Sequence, residues 1–271
     1  MITGIGSFGK RYEIMYQNDV QAEGSVVRVL FEQMIKLDAE TAGFLYNEYT
    51  DLANRYKQGS RPYFENIVNG LRGKNDSETI DNIISYCRDI VENCEIDIED
   101  MIFGGTEEAV ADRGTYWCTD IARVACVMFQ VAGFPSRMLT TANTNYAYCG
   151  HEVTEVYYDN KWGVADPTSG VVIRYPDGSP ASARDIQKNY DIANQSFLRK
   201  YPASESEGYR FFPPGEQYES VGITNYYIDD HEKYSYKTSK LNDYCRAVLK
   251  CGDTQWAGGL RWIHGEDMLT I

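Results

Sequence analysis

Few residues in this chain have chemical reach: three histidines and seven cysteines among 271 residues. A cysteine is a nucleophile only as the thiolate, and a free thiol, with a pKa of roughly 8.5, is mostly protonated near neutral pH. A neighbouring imidazolium or the positive end of a helix shifts that balance. Cys118 ends a glycine-containing loop, Arg113-Gly-Thr-Tyr-Trp-Cys118, and heads an apolar helical pattern, so its sulfur meets the helix dipole. His151 opens one strand-like run and Asp166 closes the next. Antiparallel neighbours joined by a short turn bring two such residues together, with the carboxylate able to hold the imidazole's other nitrogen. Spacing and secondary structure thus predict a Cys-His-Asp arrangement, with packing of the helix on the hairpin as the one tertiary contact it requires.

The other candidates read more plainly. Cys87 and Cys94 fall in a helical pattern and, with Cys126, Cys245 and Cys251, have the character of buried free thiols. Cys149, two residues before His151, reads as a pocket residue. A zinc ion held by Cys149, His151, Cys118 and Asp166 is the alternative, since all four are acceptable ligands. Zinc sites usually show two close ligand pairs, and this chain offers one, so no metal and no cofactor are expected. His231 and His264 sit in polar stretches and read as solvated. Arg137 reads as a tie to nearby carboxylates, Glu152 points away from His151 in a regular strand, and Asp120 and Glu155 read as hydrogen-bonding supports.

Elements that could position these residues follow from periodicity. Val26, Val27, Leu30, Phe31, Met34 and Leu37, continued by Ala42, Leu45, Tyr49 and Leu52, predict helix across 25–57 with one break. A second helix is predicted over 77–93, a helix start at 106–108, and a buried helix over 119–131 terminated by Gly133-Phe-Pro135. Strands are predicted over 136–141, 151–158 and 161–165, the last two joined by a tight turn at Asp159-Asn160. A turn at Pro176-Asp-Gly178 leads into a short helix over 182–190; strands at 209–212 and 220–228 and a helix over 239–250 follow. Helices followed by an antiparallel sheet predict an α+β fold.

Taken together, Gly114-x-x-x-Cys118-x-Asp120, Gly133-Phe-Pro-Ser-Arg137, Gly150-His151-Glu152-Val153-x-Glu155-Val156 and Trp162-x-x-x-Asp166-Pro167-Thr168 resemble the motifs of the transglutaminase-like superfamily. The resemblance spans roughly residues 106–170. It implies a papain-like core with Cys118 as nucleophile, His151 as general base and acid, and Asp166 as its orienter. Members usually carry a small or glutamine-like residue beside the cysteine, whereas Tyr116 and Trp117 precede it here. The backbone N–H of Cys118 then becomes the expected oxyanion donor, with the Trp117 indole second and Tyr116, Cys149 and Trp162 as pocket residues. On this reading residues 1–105 form a mainly helical part packed on the core, 106–180 the core itself, and 181–271 the strands and helix that complete the same domain.

Composition bounds the partners. Hydrophobic residues make up 43% and charged residues 24%, the mix of a folded globular chain. A formal net charge of −14 disfavours nucleic acid and anionic membrane surfaces, both of which are bound through Lys and Arg. The N-terminus lacks the features of a secretory signal, and no window reaches the roughly 18 apolar residues of a membrane span, so a cytoplasmic protein is expected. The expected activity is acyl transfer on an amide or thioester of a small-molecule, peptide or carrier-bound substrate, as an amidase, a peptidase or an amide-forming, possibly biosynthetic, acyltransferase. The alternative is a non-catalytic binding module built on the same fold.

Overall fold

The computed structural model describes residues 34–47, 52–97, 100–142, 150–195, 197–199, 220–229, 235–237 and 239. The first described elements are strand β1 (Ile35–Lys36) and three helices, α1 (Ala42–Asn47), α2 (Pro62–Leu71) and α3 (Asp76–Glu92). Strand β2 (Ile102–Gly104), helix α4 (Glu107–Arg113) and the central helix α5 (Cys118–Ala132) follow. Next comes a run of strands, β3 (Ser136–Ala142), β4 (Gly150–Tyr158), β5 (Lys161–Asp166) and β6 (Val171–Ile173). Two short helices, α6 (Ala183–Lys188) and α7 (Asp191–Gln195), lead to β7 (Phe197–Arg199), β8 (Ser220–Asn225) and β9 (Ser235–Lys237). Seven strands form one antiparallel sheet in the order β1-β8-β3-β4-β5-β6-β7, and β2 pairs with β9. The fold is α+β.

Helix α5 is buried on every side: Ile121, Ala122, Val124, Ala125, Cys126, Val127, Met128 and Phe129 are fully buried, and its buried Asp120, Arg123 and Gln130 have polar partners. A helix of that kind has no solvent face to keep and becomes the centre of a core. It lies between one face of the sheet (Met138, Val156, Ala165, Val172) and the apolar stripes of α2 and α3, from which Phe64, Val68, Ile80, Ile83 and Ile84 project. Gly133 ends it in the left-handed conformation, its N–H and that of Phe134 closing on the carbonyls of the last turn. The opposite face of the sheet (Leu139, Val153, Val164, Val171, Ile223) is covered by Leu45 of α1 and by Ala183, Ile186 and Ala193 of α6 and α7.

The β4–β5 hairpin turns on Asp159 and Asn160, with φ of 49° and 61°, so the two-residue connection fixes the register Tyr158↔Lys161 through Thr154↔Ala165. Val153 and Glu155 therefore share one face, and Glu152, Thr154 and Val156 the other. α3 is capped by Asn75, whose side chain accepts from Glu78 N, and α6 by a Ser182–Asp185 capping box.

The helix expected over 25–57, with a break near Asp38 or Gly43, is corrected ahead of that break where the residues are described. Ile35–Lys36 is a strand paired with β8, Leu37 N donates to Val221 O at 2.7 Å, and among the described residues of this stretch Ala42–Asn47 is helical. Met34, Ile35 and Leu37 are buried against the sheet, and Asp38 turns the chain by accepting from Glu40 N and Thr41 N. Pairing with the edge of β8 thus overrides a spacing that fits a helix equally well. Helix α2 went unread, although Pro62 at its first position is a start signal. The expected segments 209–212 and, but for Ser239, 239–250, together with His231, His264, Cys245 and Cys251, lie outside the described residues.

Candidate active site

The loop before α5 is held so that Cys118 is the helix's first residue. Gly114 has φ +81°, and a Cβ there would stand 3.0 Å from both Cβ and Sγ of Cys94, so glycine is required for both reasons. Thr115 Oγ1 accepts from Trp117 N at 3.0 Å, and the Tyr116 hydroxyl donates to the carbonyl of Cys94. Trp117 is buried with its ring edge-on to Phe103 at 4.9 Å. In the first turn, the carboxylate of Asp120 is fully buried. It accepts from Gly104 N at 2.8 Å and lies within 3.4–3.5 Å of Arg113 and Arg123. An anion in that position also suits the helix dipole.

Cys118 differs from the other thiols nearby. Cys87, Cys94 and Cys126 are buried, and burial pushes the Cys87 and Cys126 thiols well above the ordinary cysteine range. Cys118 is partly exposed at the helix N-terminus. Among the described cysteines it is the one that a reagent in solution can reach.

His151, near the start of β4, and Asp166, at the end of β5, are diagonal neighbours on one face of the hairpin. His151 Nε2 and Asp166 Oδ2 are 2.9 Å apart; the carboxylate is fully buried and the imidazole 24% exposed. The other oxygen, Oδ1, accepts from the backbone N–H groups of Thr168 and Ser169 at 2.9 and 3.1 Å. Both oxygens of Asp166 are thus occupied, which fixes its plane. With Nε2 committed to the carboxylate, Nδ1 is the ring atom left for the Cys118 thiol, whose proximity adds to the upward shift of the imidazole pKa.

The electrostatics of His151 follow from these contacts. Burial is the largest single influence and works to lower its pKa. The Asp166 charge and hydrogen bond, with the Cys118 contact, outweigh it and hold His151 well above the usual value of 6.5. Because the folded value is raised, the stability this ring contributes is fully present below about pH 6.5 and is lost as pH rises through the folded value. An Asp166→Asn variant keeps an oxygen for Thr168 and Ser169 while removing the charge. His151 should then lose its proton at a lower pH than in the wild type, as followed by the ring-proton NMR shift. An unchanged titration would mean that Asp166 does not govern the ring.

The turn that follows Asp166 is clamped from α3. Arg88 donates from Nη1 to Thr168 O at 2.5 Å, and its aliphatic stem lies 3.1 Å from where a Cβ on Gly170 (φ +68°) would be. Arg88 had no assigned role in the sequence, because its partner is 80 residues away and no local spacing marks it.

The remaining predicted residues are distributed as follows. Tyr116 and Trp117 flank the thiol in the chain, but the Tyr116 hydroxyl is turned to Cys94. Cys149 lies outside the described residues. Trp162 opens β5, four residues and therefore about 13 Å along the strand from Asp166. It lines a different cavity and stacks on Arg137, whose Cζ is 4.1 Å from the ring centroid. Arg137 is paired with Glu155 at 2.6 Å, both fully buried, and Glu152 accepts from Thr140 Oγ1 on the helix-facing side of β4. Among the described residues, no group of three or more His, Cys, Asp or Glu side chains is arranged to hold a metal ion. None of the helices among them is long and apolar enough to cross a membrane.

Residues 65–167 match the family model of the Transglutaminase-like superfamily, the same family that the motifs between Gly114 and Thr168 resemble. A solved structure described as the crystal structure of a TGase aligns at 18% identity and a TM-score of 0.30, covering 55% of this chain. The match spans 40% of that protein's length. No curated protein matches the chain significantly by sequence.

Proposed function

We propose that this chain, with a transglutaminase-like core over residues 65–167, is a cysteine-nucleophile acyl-transfer enzyme in which Cys118, His151 and Asp166 carry the chemistry. The observation that carries the reading is the 2.9 Å His151–Asp166 pair next to a partly exposed thiol at a helix N-terminus. A raised imidazole pKa favours the protonated ring at neutral pH, and an imidazolium is the partner that keeps a nearby thiol ionised. The free thiols Cys87, Cys94 and Cys126 accord with a reducing, cytoplasmic setting.

In the first half-reaction the Cys118 thiolate attacks an amide or thioester carbonyl carbon. The carbonyl oxygen takes up the electron pair and is met by the backbone N–H of Cys118. Collapse of that adduct breaks the bond to the leaving amine or thiol, which takes its proton from the His151 imidazolium, and a thioester on Cys118 remains. In the second half, neutral His151 removes a proton from water or an amine as it attacks the thioester. Cys118 leaves as thiolate and the imidazolium is restored, with a carboxylic acid or a new amide as product. Asp166 stays ionised throughout and orients the ring. The substrate class is a peptide, a small molecule or a carrier-bound acyl group.

Reaction with para-nitrophenyl acetate tests the reading without knowledge of the natural substrate. One rapid release of nitrophenolate per chain, with an acetyl group on the peptide containing Cys118, is the expected outcome. Acetylation elsewhere, or none, would contradict it. Added amine competing with water for the acetyl-enzyme then separates acyltransferase from hydrolase.

A further inference from the structure

At the turn end of the β4–β5 hairpin, away from the thiol, lies a cavity of about 420 Å³ between the hairpin, α1 and α6. Rings form its walls: Tyr46, Tyr157, Trp162 and Tyr175. They are held rigidly. The fully buried Arg137 guanidinium stacks behind Trp162 and Tyr46, with Cζ 4.1 and 4.8 Å from the two centroids, and its partner Glu155 accepts the Tyr46 hydroxyl at 2.8 Å. Tyr157 meets Trp162 edge-on at 5.4 Å. The Tyr46 hydroxyl is thereby committed to Glu155, so Tyr46 offers a ring rather than a hydrogen bond.

Two cations complete the lining, Lys161 and Arg184. Neither belongs to an ion pair among the described residues, in a chain whose net charge is −14. Arg184 Nε is buried and meets no hydrogen-bond partner among them. A buried donor left unmade is costly, and a ligand oxygen is one way to satisfy it. Asp185 is the carboxylate on this wall, and its Oδ2 is taken by Ser182 N at 3.1 Å and Ser182 Oγ at 2.8 Å. Aromatic walls with a guanidinium and an ammonium among the lining residues select a flat ring carrying an anion.

We infer that this cavity is a second binding site, separate from Cys118, for a planar aromatic ligand bearing a carboxylate or phosphate. The ring lies against Tyr46 and Trp162, and the anion meets Arg184 and Lys161. The site belongs to this chain's own hairpin and α6 and does not depend on the acyl-transfer reading.

Calorimetric titration of the full chain with phenyl phosphate and with benzoate tests the inference and tells phosphate from carboxylate. Phenol and inorganic phosphate report the ring and the anion alone. One equivalent of either anionic aromatic should bind, more tightly than either fragment, and Arg184→Met should weaken it by about ten-fold. Lys161→Met, at an exposed position on the hairpin, should weaken it in the same direction. Cys118→Ala should bind as the wild type does. Absence of binding by both probes, or binding untouched by both cation variants, would overturn the inference. So would protection of Cys118 from alkylation by the bound probe, since that would place the ligand at the thiol.

Discussion

Replacing His151 with alanine should slow formation of the acetyl-enzyme from para-nitrophenyl acetate by about 10²–10⁴-fold at neutral pH, and Cys118→Ala should abolish it. The size of the His151 effect follows from its two duties. In the proposed mechanism its charge, sustained by Asp166 at 2.9 Å against the opposing influence of burial, is the counterpart of the attacking thiolate. In the same mechanism it delivers the proton without which an amine cannot leave. An activated ester needs less of the second duty, so an amide substrate should lose more rate than the ester does. Cys118→Ala leaves the sheet and the α5 core intact, so its urea midpoint should move little. His151→Ala leaves the buried Asp166 carboxylate without its ring partner and should lower the midpoint, so the rates are compared under conditions where both variants are folded. A His151→Ala enzyme within about two-fold of the wild type would show that the imidazole is a bystander.

The second large effect concerns stability. Arg137→Met should lower the free energy of unfolding by about 3–5 kcal/mol, because it strands Glu155 as a buried charge. Arg137 and Glu155 are both fully buried and 2.6 Å apart. Arg137 Nη1 also donates to Leu45 O at 2.6 Å, while Glu155 Oε1 accepts from Tyr46 and from Ala183 N, each at 2.8 Å. One ion pair therefore ties α1 and α6 to the middle of the sheet. Against a typical total of about 5–15 kcal/mol, the loss is a large share. Arg137→Met combined with Glu155→Gln removes both charges while keeping an acceptor for Tyr46 and Ala183, and should recover most of the deficit. Urea unfolding followed by circular dichroism measures both. A single variant within about 1 kcal/mol of the wild type would mean that Glu155 finds water or another partner.

How far these features were legible in the sequence depends on the range over which each is decided. The alternation from 151 to 165 and the Asp159-Asn160 turn are local, and they suffice to set the register that brings His151 beside Asp166. The apolar run of α5 and its Gly133 stop are local too. β1 is not: Met34, Ile35 and Leu37 satisfy either period, and the choice is made by Val221 and Ile223 near the other end of the chain. The buried cluster of Glu107 with Arg61, Arg123 and Tyr226 was equally hidden, its pairs separated by 16 to 119 residues. Charged side chains read as surface until their partners are known. Arg88 escaped notice for the same reason. Arg137 and Glu155, read in the sequence as a tie and a support, prove to be each other's partners.

The central claim is that His151 holds Cys118 as a reactive thiolate. It is tested most directly by intact mass after brief iodoacetamide treatment at pH about 6, where an unperturbed thiol is almost wholly protonated. Wild type should gain one label quickly, Cys118→Ala none in the same time, and His151→Ala its label far more slowly. Slow labelling shared among several cysteines, and indifferent to both substitutions, would contradict the account.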